Sequence, residues 1–231
     1  MKPVKVDYLG HSGFLVETEN RLLLFDYYRG DLSLIHDRPA DKPLFVFVSH
    51  AHGDHFNPAI FKLKESGREV RYILAFDVRT EEDATFLEAD RAYDIPELGR
   101  VETFLSTDEG VAFLVETDGV TIFHAGDLHW WDWEGEDPVW LEEQERVFKR
   151  EIGKLAGSKL DIAFAVLDDR LEDNYDEGMK WFLSVCHPRY VFPMHFWEDQ
   201  SIVGRFKEQM GSEITTQIMD TVNENRWKLE I

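Results

Sequence analysis

The stretch PLFVFVSHAHGDHF, residues 43–56, places an apolar run directly before a cluster of side chains that bind metals. The apolar half is typical of a strand buried on both faces of a sheet. The polar half carries three of the nine histidines and one aspartate within six positions: His50, His52, Asp54 and His55. Polar residues at the end of a buried strand are where α/β proteins usually place their sites, so we predict a metal centre here.

The spacing within this loop favours metal binding over a solvated polar loop. His50 and His52 are two residues apart, so their side chains point to the same side of an extended segment. Asp54 and His55 lie on the following turn, and Gly53 relaxes the backbone between the two pairs. Imidazole and carboxylate ligands together suit zinc, with iron or manganese possible where carboxylates dominate.

One short loop cannot enclose two ions, so further ligands must come from distant parts of the chain. Three other stretches follow apolar strands and carry candidates: LGHSGF (9–14) with His11, FHAGDLH (123–129) with His124, Asp127 and His129, and FPMHFWED (192–199) with His195. A lone histidine after a strand is more often structural. Asp127 and His195 are favoured because the loop after residue 48 needs partners.

The composition fits one globular domain over residues 1–231, with 43% hydrophobic residues. The formal net charge of −21 repels phosphate backbones, so we expect no nucleic-acid partner. The single cysteine, Cys186, excludes an internal disulfide. No apolar run approaches the roughly 20 residues of a membrane span, and the N-terminus lacks a signal-peptide pattern. These features predict a cytoplasmic protein with no membrane partner.

The order of predicted elements indicates an α/β (α+β) fold. Strand-rich blocks cover residues 4–27 and 99–126, and each is followed by strands that alternate with helices. The predicted helices cover 58–64, 138–156, 177–185 and 200–210, whereas residues 80–92 carry helix formers but remain ambiguous. The two halves look alike, which suggests two sheets packed together with helices outside.

Four motifs in the chain resemble those of a known protein family. HAHGDH resembles the H-x-H-x-D-H signature of the metallo-β-lactamase superfamily. LGHSGFLVE, TIFHAGD and PMHF, in that order, look like the branch of metal-dependent hydrolases that includes the ascorbate-phosphate lactonases. The resemblance covers residues 6 to 200 and implies a four-layer αββα sandwich. It also implies a hydrolase that uses one or two ions, zinc or less often iron or manganese, on a small-molecule ester, lactone, amide or phosphoester.

Carried over by motif, the resemblance implies six metal ligands: His50 and His52 for the first ion, Asp54 and His55 for the second, Asp127 as a bridge, and His195 completing the second site. Asp54 would also orient the attacking water, which makes it the candidate catalytic residue. The family places another first-site histidine near Leu105 and Ser106, but VETFLSTDEG (101–110) contains none. We expect partial or altered occupancy first, with Asp108, Glu109, His129 or His11 as candidate substitutes.

A tryptophan-rich loop, LHWWDWEGED (128–137), suggests the substrate pocket. It carries Trp130, Trp131 and Trp133, and Trp197 lies beside the PMHF motif. These rings line an apolar substrate pocket, pack over the sandwich edge or form a subunit contact, and exposed tryptophans would favour a homo-oligomer.

Two points of function remain open in the sequence. Arg170 follows a predicted strand and either holds an anionic substrate group or pairs with a neighbouring aspartate on the surface. A small-molecule hydrolase is the first interpretation. The alternatives are a degenerate family member that binds metal without hydrolysis and, disfavoured by the acidic charge, a nuclease.

Overall fold

Buried β-strands dominate the computed structural model, which describes residues 1–197, 199–211 and 214–231. Over these residues the strands are β1 (Pro3–Gly10), β2 (Gly13–Glu17), β3 (Leu22–Phe25), β4 (Leu44–Val48), β5 (Val70–Ala75), β6 (Thr85–Leu87), β7 (Ala92–Ile95), β8 (Gly99–Leu105), β9 (Val111–Thr117), β10 (Val120–His124), β11 (Ile162–Val166), β12 (Tyr190–Met194), β13 (Gln217–Ile218) and β14 (Arg226–Glu230). The α-helices are α1 (Pro138–Gly153), α2 (Glu177–Cys186) and α3 (Ser201–Met210), and short 3-10 helices cover Leu32–Ile35, Pro58–Ser66 and Asp169–Asn174.

The strands form two seven-stranded sheets of matching design. Sheet A has the order β14-β1-β2-β3-β4-β5-β6, and sheet B has the order β13-β12-β11-β10-β9-β8-β7. In sheet A, β3 to β6 run parallel, and in sheet B, β10 to β13 run parallel. Parallel neighbours end at the same edge of a sheet, so the loops that follow them are brought together.

The alternation of side chains along the strands of sheet A builds two apolar layers. Phe25 and Phe47 face the core shared with sheet B, where Phe47 lies 5.3 Å from Phe113 between ring centroids. The intervening residues Leu24 and Val46 pack instead with the residues of the 3-10 helix Pro58–Ser66. Helices α1 and α2 contribute buried residues on the outside of sheet B. The predicted αββα layering is therefore observed, with 3-10 turns supplying much of the layer over sheet A.

Residues 80–92, which are ambiguous in the sequence, form no helix: they contain the short strand β6 and the first residue of β7, joined by bends and irregular segments. Thr85 pairs with Ile73 at the start of β6, which continues the parallel part of sheet A. Pairing to a neighbouring strand outweighs the helix propensity of the surrounding glutamates and alanines. Within the described ranges, no helix combines the length and apolar character needed to cross a bilayer.

Candidate metal centre

The histidine loop begins where β4 ends, and its first residue is held from both sheets. Ser49 donates its backbone N–H to Asp26 Oδ1 at 2.7 Å, and its carbonyl accepts from Val111 N at 2.9 Å. Gly110 lies against the same peptide with φ +67°, and a Cβ there would lie 1.9 Å from Ser49 O. Only glycine fits this close approach, which docks the loop of sheet A onto sheet B.

The candidate ligands gather in two clusters. In each cluster, one potential ligand atom per residue lies within 4.8 Å of the others: the first contains His50, His52, Asp108 and Asp127, and the second contains His11, Asp54, His55 and His195. The two clusters therefore include all six residues implied by the resemblance. They also include Asp108 and His11, two of the residues considered as substitutes.

Asp127 lies between the clusters and presents one oxygen to each. Its Oδ2 lies 3.5 Å from His50 Nε2 of the first cluster. Its Oδ1 lies 3.0 Å from His55 Nε2 and 3.2 Å from His195 Nε2, both in the second cluster. This is the arrangement expected of a carboxylate that bridges two ions.

An outer layer of polar groups fixes the orientation of three imidazoles. His55 Nδ1 contacts Asp26 Oδ2 at 2.8 Å, and His195 Nδ1 contacts Asp168 Oδ2 at 2.9 Å. His50 Nδ1 lies 2.9 Å from the Ser49 hydroxyl, which itself donates to Asp26 at 2.6 Å. Occupying Nδ1 in this way leaves Nε2 of each ring available as the ligand atom.

The inward-facing atoms fit a divalent cation. The Nε2 atoms of His11, His50, His55 and His195 and the Oδ1 of Asp127 are buried, and within the described part of the chain none has a hydrogen-bond partner of good geometry. Buried polar atoms are normally paired, so a convergent set of unpaired ones needs an explanation. Imidazole nitrogens mixed with carboxylate oxygens are the donor set of zinc, iron and manganese sites.

Burial and neighbouring charges shift the pKa values of the ionisable groups in the two clusters. Burial lowers the pKa of His50 to about 4, so this imidazole is neutral and ready to bind a cation. Burial also opposes protonation of His195, but Asp127 and Asp168 together raise its pKa to about 9. Although burial opposes its ionisation, Asp127 has a pKa held well below the usual range by His195 and His55. A bound ion would take over the role of the proton on His195.

Asp108 lies where the sequence lacks the family histidine. Leu105 is partly exposed, and Ser106 uses its hydroxyl to accept from the backbone N–H of Asp108 at 3.2 Å. The resulting turn places Asp108 Oδ2 3.5 Å from His52 Nδ1. Glu109 also approaches His52, at 3.5 Å from Nε2, but it lies outside the two clusters and is more exposed than Asp108. Of the substitutes predicted for the first site, the geometry therefore favours Asp108.

His129 belongs to neither cluster. Its ring is buried beneath α2, where a Cβ on Gly178 would lie 2.4 Å from its Cε1. Its backbone N–H donates to the Thr107 hydroxyl, and its carbonyl accepts a hydrogen bond from the same hydroxyl, which fixes the chain at this residue. His124 is likewise structural: its Nε2 contacts the Ser12 carbonyl at 2.9 Å, and its ring stacks on Phe25.

A cleft of about 250 Å³ opens over the two clusters. The wall that rises beside the candidate ligands is formed by Thr107, Trp131, Trp133, Trp140 and Arg170. Trp130, predicted to line the pocket, lies elsewhere because its ring packs against the Lys149 ammonium at 4.1 Å. Trp197 lies beside the cleft, with its ring centroid 4.5 Å from that of His11. The sequence does not single out Trp140, because it falls within the predicted helix 138–156 and outside the tryptophan-rich loop.

Asp26 and Asp168 were also missed as parts of the centre. Each follows a buried strand at its carboxyl end, β3 and β11 respectively, and each is completely buried. That position is a usable signal in a parallel sheet. A single aspartate after a strand has no distinctive spacing, however, so the signal is weak without the fold.

Comparisons with known proteins agree with this geometry. The beta-lactamase superfamily domain matches residues 5–134, more than half of the chain, and the protein belongs to this superfamily. A UPF0173 metal-dependent hydrolase of Thermococcus kodakarensis is 28% identical over 214 residues, covering 84% of each protein. A UPF0173 metal-dependent hydrolase of Pyrococcus furiosus is 27% identical over 209 residues, again covering 84% of each protein.

Solved structures support the fold. Igni18, a metallo hydrolase from Ignicoccus hospitalis, superposes with a TM-score of 0.67 at 17% identity and covers 99% of each chain. The metallo-beta-lactamase fold protein YhfI of Bacillus subtilis has a TM-score of 0.68 at 13% identity, covering 99% of this chain and 100% of YhfI. At these identities the likeness concerns the fold alone, and it confirms the predicted metallo-β-lactamase-like sandwich.

Proposed function

We propose that this protein is a metal-dependent hydrolase of a small molecule. The observation that carries the proposal is Asp127, whose two carboxylate oxygens face the buried Nε2 atoms of His50 on one side and of His55 and His195 on the other. Among the described residues, these three Nε2 atoms have no hydrogen-bond partner of good geometry. The names of its UPF0173 relatives support the same class of activity. The bond cleaved would be an ester, lactone, amide or phosphoester, and lactones deserve early testing because of the sequence motifs.

The residues that would hold the ions differ between the two clusters. His50, His52, Asp108 and Asp127 would form a first site in which half of the ligands are carboxylates. Such a hard donor set suits manganese or iron as well as zinc. Asp54, His55 and His195, with the other oxygen of Asp127, would form the second site, and His11 lies next to it. We propose zinc as the default cofactor, with one or two ions per chain.

Divalent ions in these sites would supply hydroxide near neutral pH and positive charge for the developing oxyanion. Asp54 lines the cleft, and its Oδ2 lies 3.3 Å from His11 Nε2. Burial opposes its ionisation, but His11 and His55 hold its pKa well below the usual range. Asp54 would therefore remain ionised, accept a hydrogen bond from the attacking water and orient it toward the substrate.

Other properties of the chain support this function. A shared apolar core joins the two sheets, which supports one domain over residues 1–231. The net charge of −21 supports a small-molecule substrate rather than a nucleic acid. We also propose a cytoplasmic location, on the basis of composition. Partly exposed rings such as Trp140 and Trp197 would favour a homo-oligomer, which light scattering would test.

The decisive experiment combines metal analysis with an activity panel. Protein loaded with zinc, manganese or iron is assayed on a lactone, an ester and a phosphodiester, with and without a chelator, and metal per chain is measured in parallel. We expect hydrolysis of one substrate class that is lost on chelation, and loss of both metal and activity in Asp54→Ala. Stable metal binding without hydrolysis of any probe would favour a degenerate member, the alternative raised by the missing histidine. Full activity in Asp54→Ala would contradict the catalytic role of this residue.

A further inference from the structure

We propose that Arg170 binds a carboxylate group of the substrate, while an apolar part of the same molecule lies against the tryptophan wall of Trp131, Trp133 and Trp140. The inference rests on the proposed function in one respect only, namely that the cleft over the metal centre is the substrate site. It adds a substrate class, an apolar monocarboxylate, that the metal ligands alone do not define.

The first step is the placement of the guanidinium group. Arg170 follows β11, and its Nε lies 2.9 Å from Asp168 Oδ1 while Nη2 lies 2.5 Å from Oδ2. These contacts use one edge of the guanidinium. In the described part of the chain Nη1 has no hydrogen bond, and 44% of the side chain is exposed where it lines the cleft. The unused edge is a planar donor pair of the kind that recognises carboxylates.

The Arg170 side chain is held in one position by its neighbours. The Arg170 guanidinium lies over the Trp133 ring at 5.4 Å and over the Trp197 ring at 5.1 Å. Trp133 is in turn stacked on Trp131, with ring centroids 5.8 Å apart and an interplanar angle of 3°. Because aromatic rings and Asp168 already hold the side chain in place, little rotamer entropy remains to be lost when a ligand binds.

The charged residues that line the cleft favour a substrate with a single negative charge. Among the described residues that line the cleft, Arg170 is the one lysine or arginine, and the carboxylates of Asp54, Asp108 and Asp127 line the same cleft. A single cation already shared with Asp168 matches a monoanion better than a dianion such as a phosphate monoester. A cationic substrate is disfavoured as well, because Arg170 and Trp131 already contact the Trp133 ring.

The test measures binding rather than turnover. Calorimetry on the metal-loaded protein compares 4-phenylbutyrate with 4-phenylbutan-1-ol, 4-phenylbutylamine and 3-phenylpropylphosphonate. We expect the carboxylate to bind about tenfold more tightly than the alcohol and the amine to bind most weakly. Arg170→Met should remove this preference and leave alcohol binding unchanged, and Arg170→Lys should retain part of it. Arg189→Met is the matched control, because Arg189 is an exposed arginine that lies over Tyr190.

Several results would overturn the proposal. If the carboxylate preference survives Arg170→Met, the metal ions hold the anion and Arg170 does not. If alcohol binding falls as much as carboxylate binding, Arg170 acts only by positioning Asp168 and His195, and metal content measured in each variant would fall with it. Tighter binding of the phosphonate would overturn the monocarboxylate assignment. Since none of the probes is hydrolysed, a carboxylate preference without activity on the hydrolysis panel would count against the hydrolase proposal alone.

Discussion

The Nδ1 atom of His55 lies 2.8 Å from Oδ2 of Asp26, and both side chains are completely inaccessible to solvent. Asp26 also accepts two hydrogen bonds from Ser49, one from the backbone and one from the hydroxyl that contacts His50. One carboxylate outside the clusters therefore orients two imidazoles, His55 directly and His50 through Ser49.

Replacing this carboxylate should weaken metal binding without removing a ligand. We expect Asp26→Asn to reduce metal affinity about 10- to 100-fold, because the orientation and basicity of His55 depend on this contact. The measurement is competition with a chromophoric chelator. Asp77→Asn is the matched control, since Asp77 accepts a hydrogen bond from Ala51 N in the same loop but not from a histidine of the loop. Equal losses in both variants would mean that Asp26 only stabilises the loop.

Removing Asp108 should empty the first site selectively. We expect Asp108→Ala to lower the metal content by about one ion per chain, because its oxygen stands in for the missing histidine beside His52. Asp108→His should restore the content and shift the preference toward zinc. Elemental analysis checks both, and Glu109→Ala is the control from the same turn. An unaltered protein that already holds a single ion would favour partial occupancy instead.

The contact between His11 and Asp54 predicts a role in catalysis. With Nε2 of His11 3.3 Å from Oδ2 of Asp54, we expect His11→Ala to lower kcat about tenfold or more by releasing the carboxylate that orients the water. The readout is kcat and KM on the active probe substrate, together with metal content. His36→Ala, a change at an exposed histidine, should have no effect. A rise in KM with an unchanged kcat would contradict this role.

The Asp118 carboxylate should make the free energy of unfolding depend on pH in acidic solution. Burial disfavours its ionised form, but hydrogen bonds from Thr18 and Asn20, with the charge of Arg21, lower its pKa to about 2. The carboxylate therefore stabilises the fold above its unfolded pKa near 4, and this contribution is lost as the pH falls toward 2. We expect Asp118→Asn to lower the free energy of unfolding by about 1–3 kcal/mol at pH 7.

Chemical denaturation of the metal-free protein at several pH values tests this. The difference between the unaltered protein and Asp118→Asn should shrink between pH 4 and pH 2. Asp37→Asn, at an exposed position, serves as the control and should show little difference at any pH. A constant difference across that range would show that the hydrogen-bond geometry matters and the charge does not.

Much of the architecture could be predicted from the sequence because buried strands and turns leave strong local patterns. The run before His50 is apolar throughout, and Asp118-Gly119 forms the predicted turn between β9 and β10. The strand β6 could not be predicted, since the helix formers within residues 80–92 leave that segment ambiguous and pairing with β5 decides it.

The candidate site was predicted as far as residue spacing allows. The six residues implied by the motifs all lie in the two clusters, whereas their roles as ligands remain predictions. The direction in which each side chain points could not be predicted from the sequence. Trp130 and Trp131 are adjacent in the chain, yet only Trp131 faces the cleft, and His129 turns beneath α2 although it follows Asp127 by two residues.

The two sheets share the clusters: the histidine loop extends from sheet A, whereas Asp127 and His195 follow strands of sheet B. Ions bound there would act as a cross-link between the two halves of the sandwich. A ligand that binds only the folded state stabilises it by about 2.7 kcal/mol at a hundredfold excess over its Kd. The lifetime of this protein in a cell would then follow the supply of its metal, since loss of the ion would lower the free energy of unfolding of the whole sandwich.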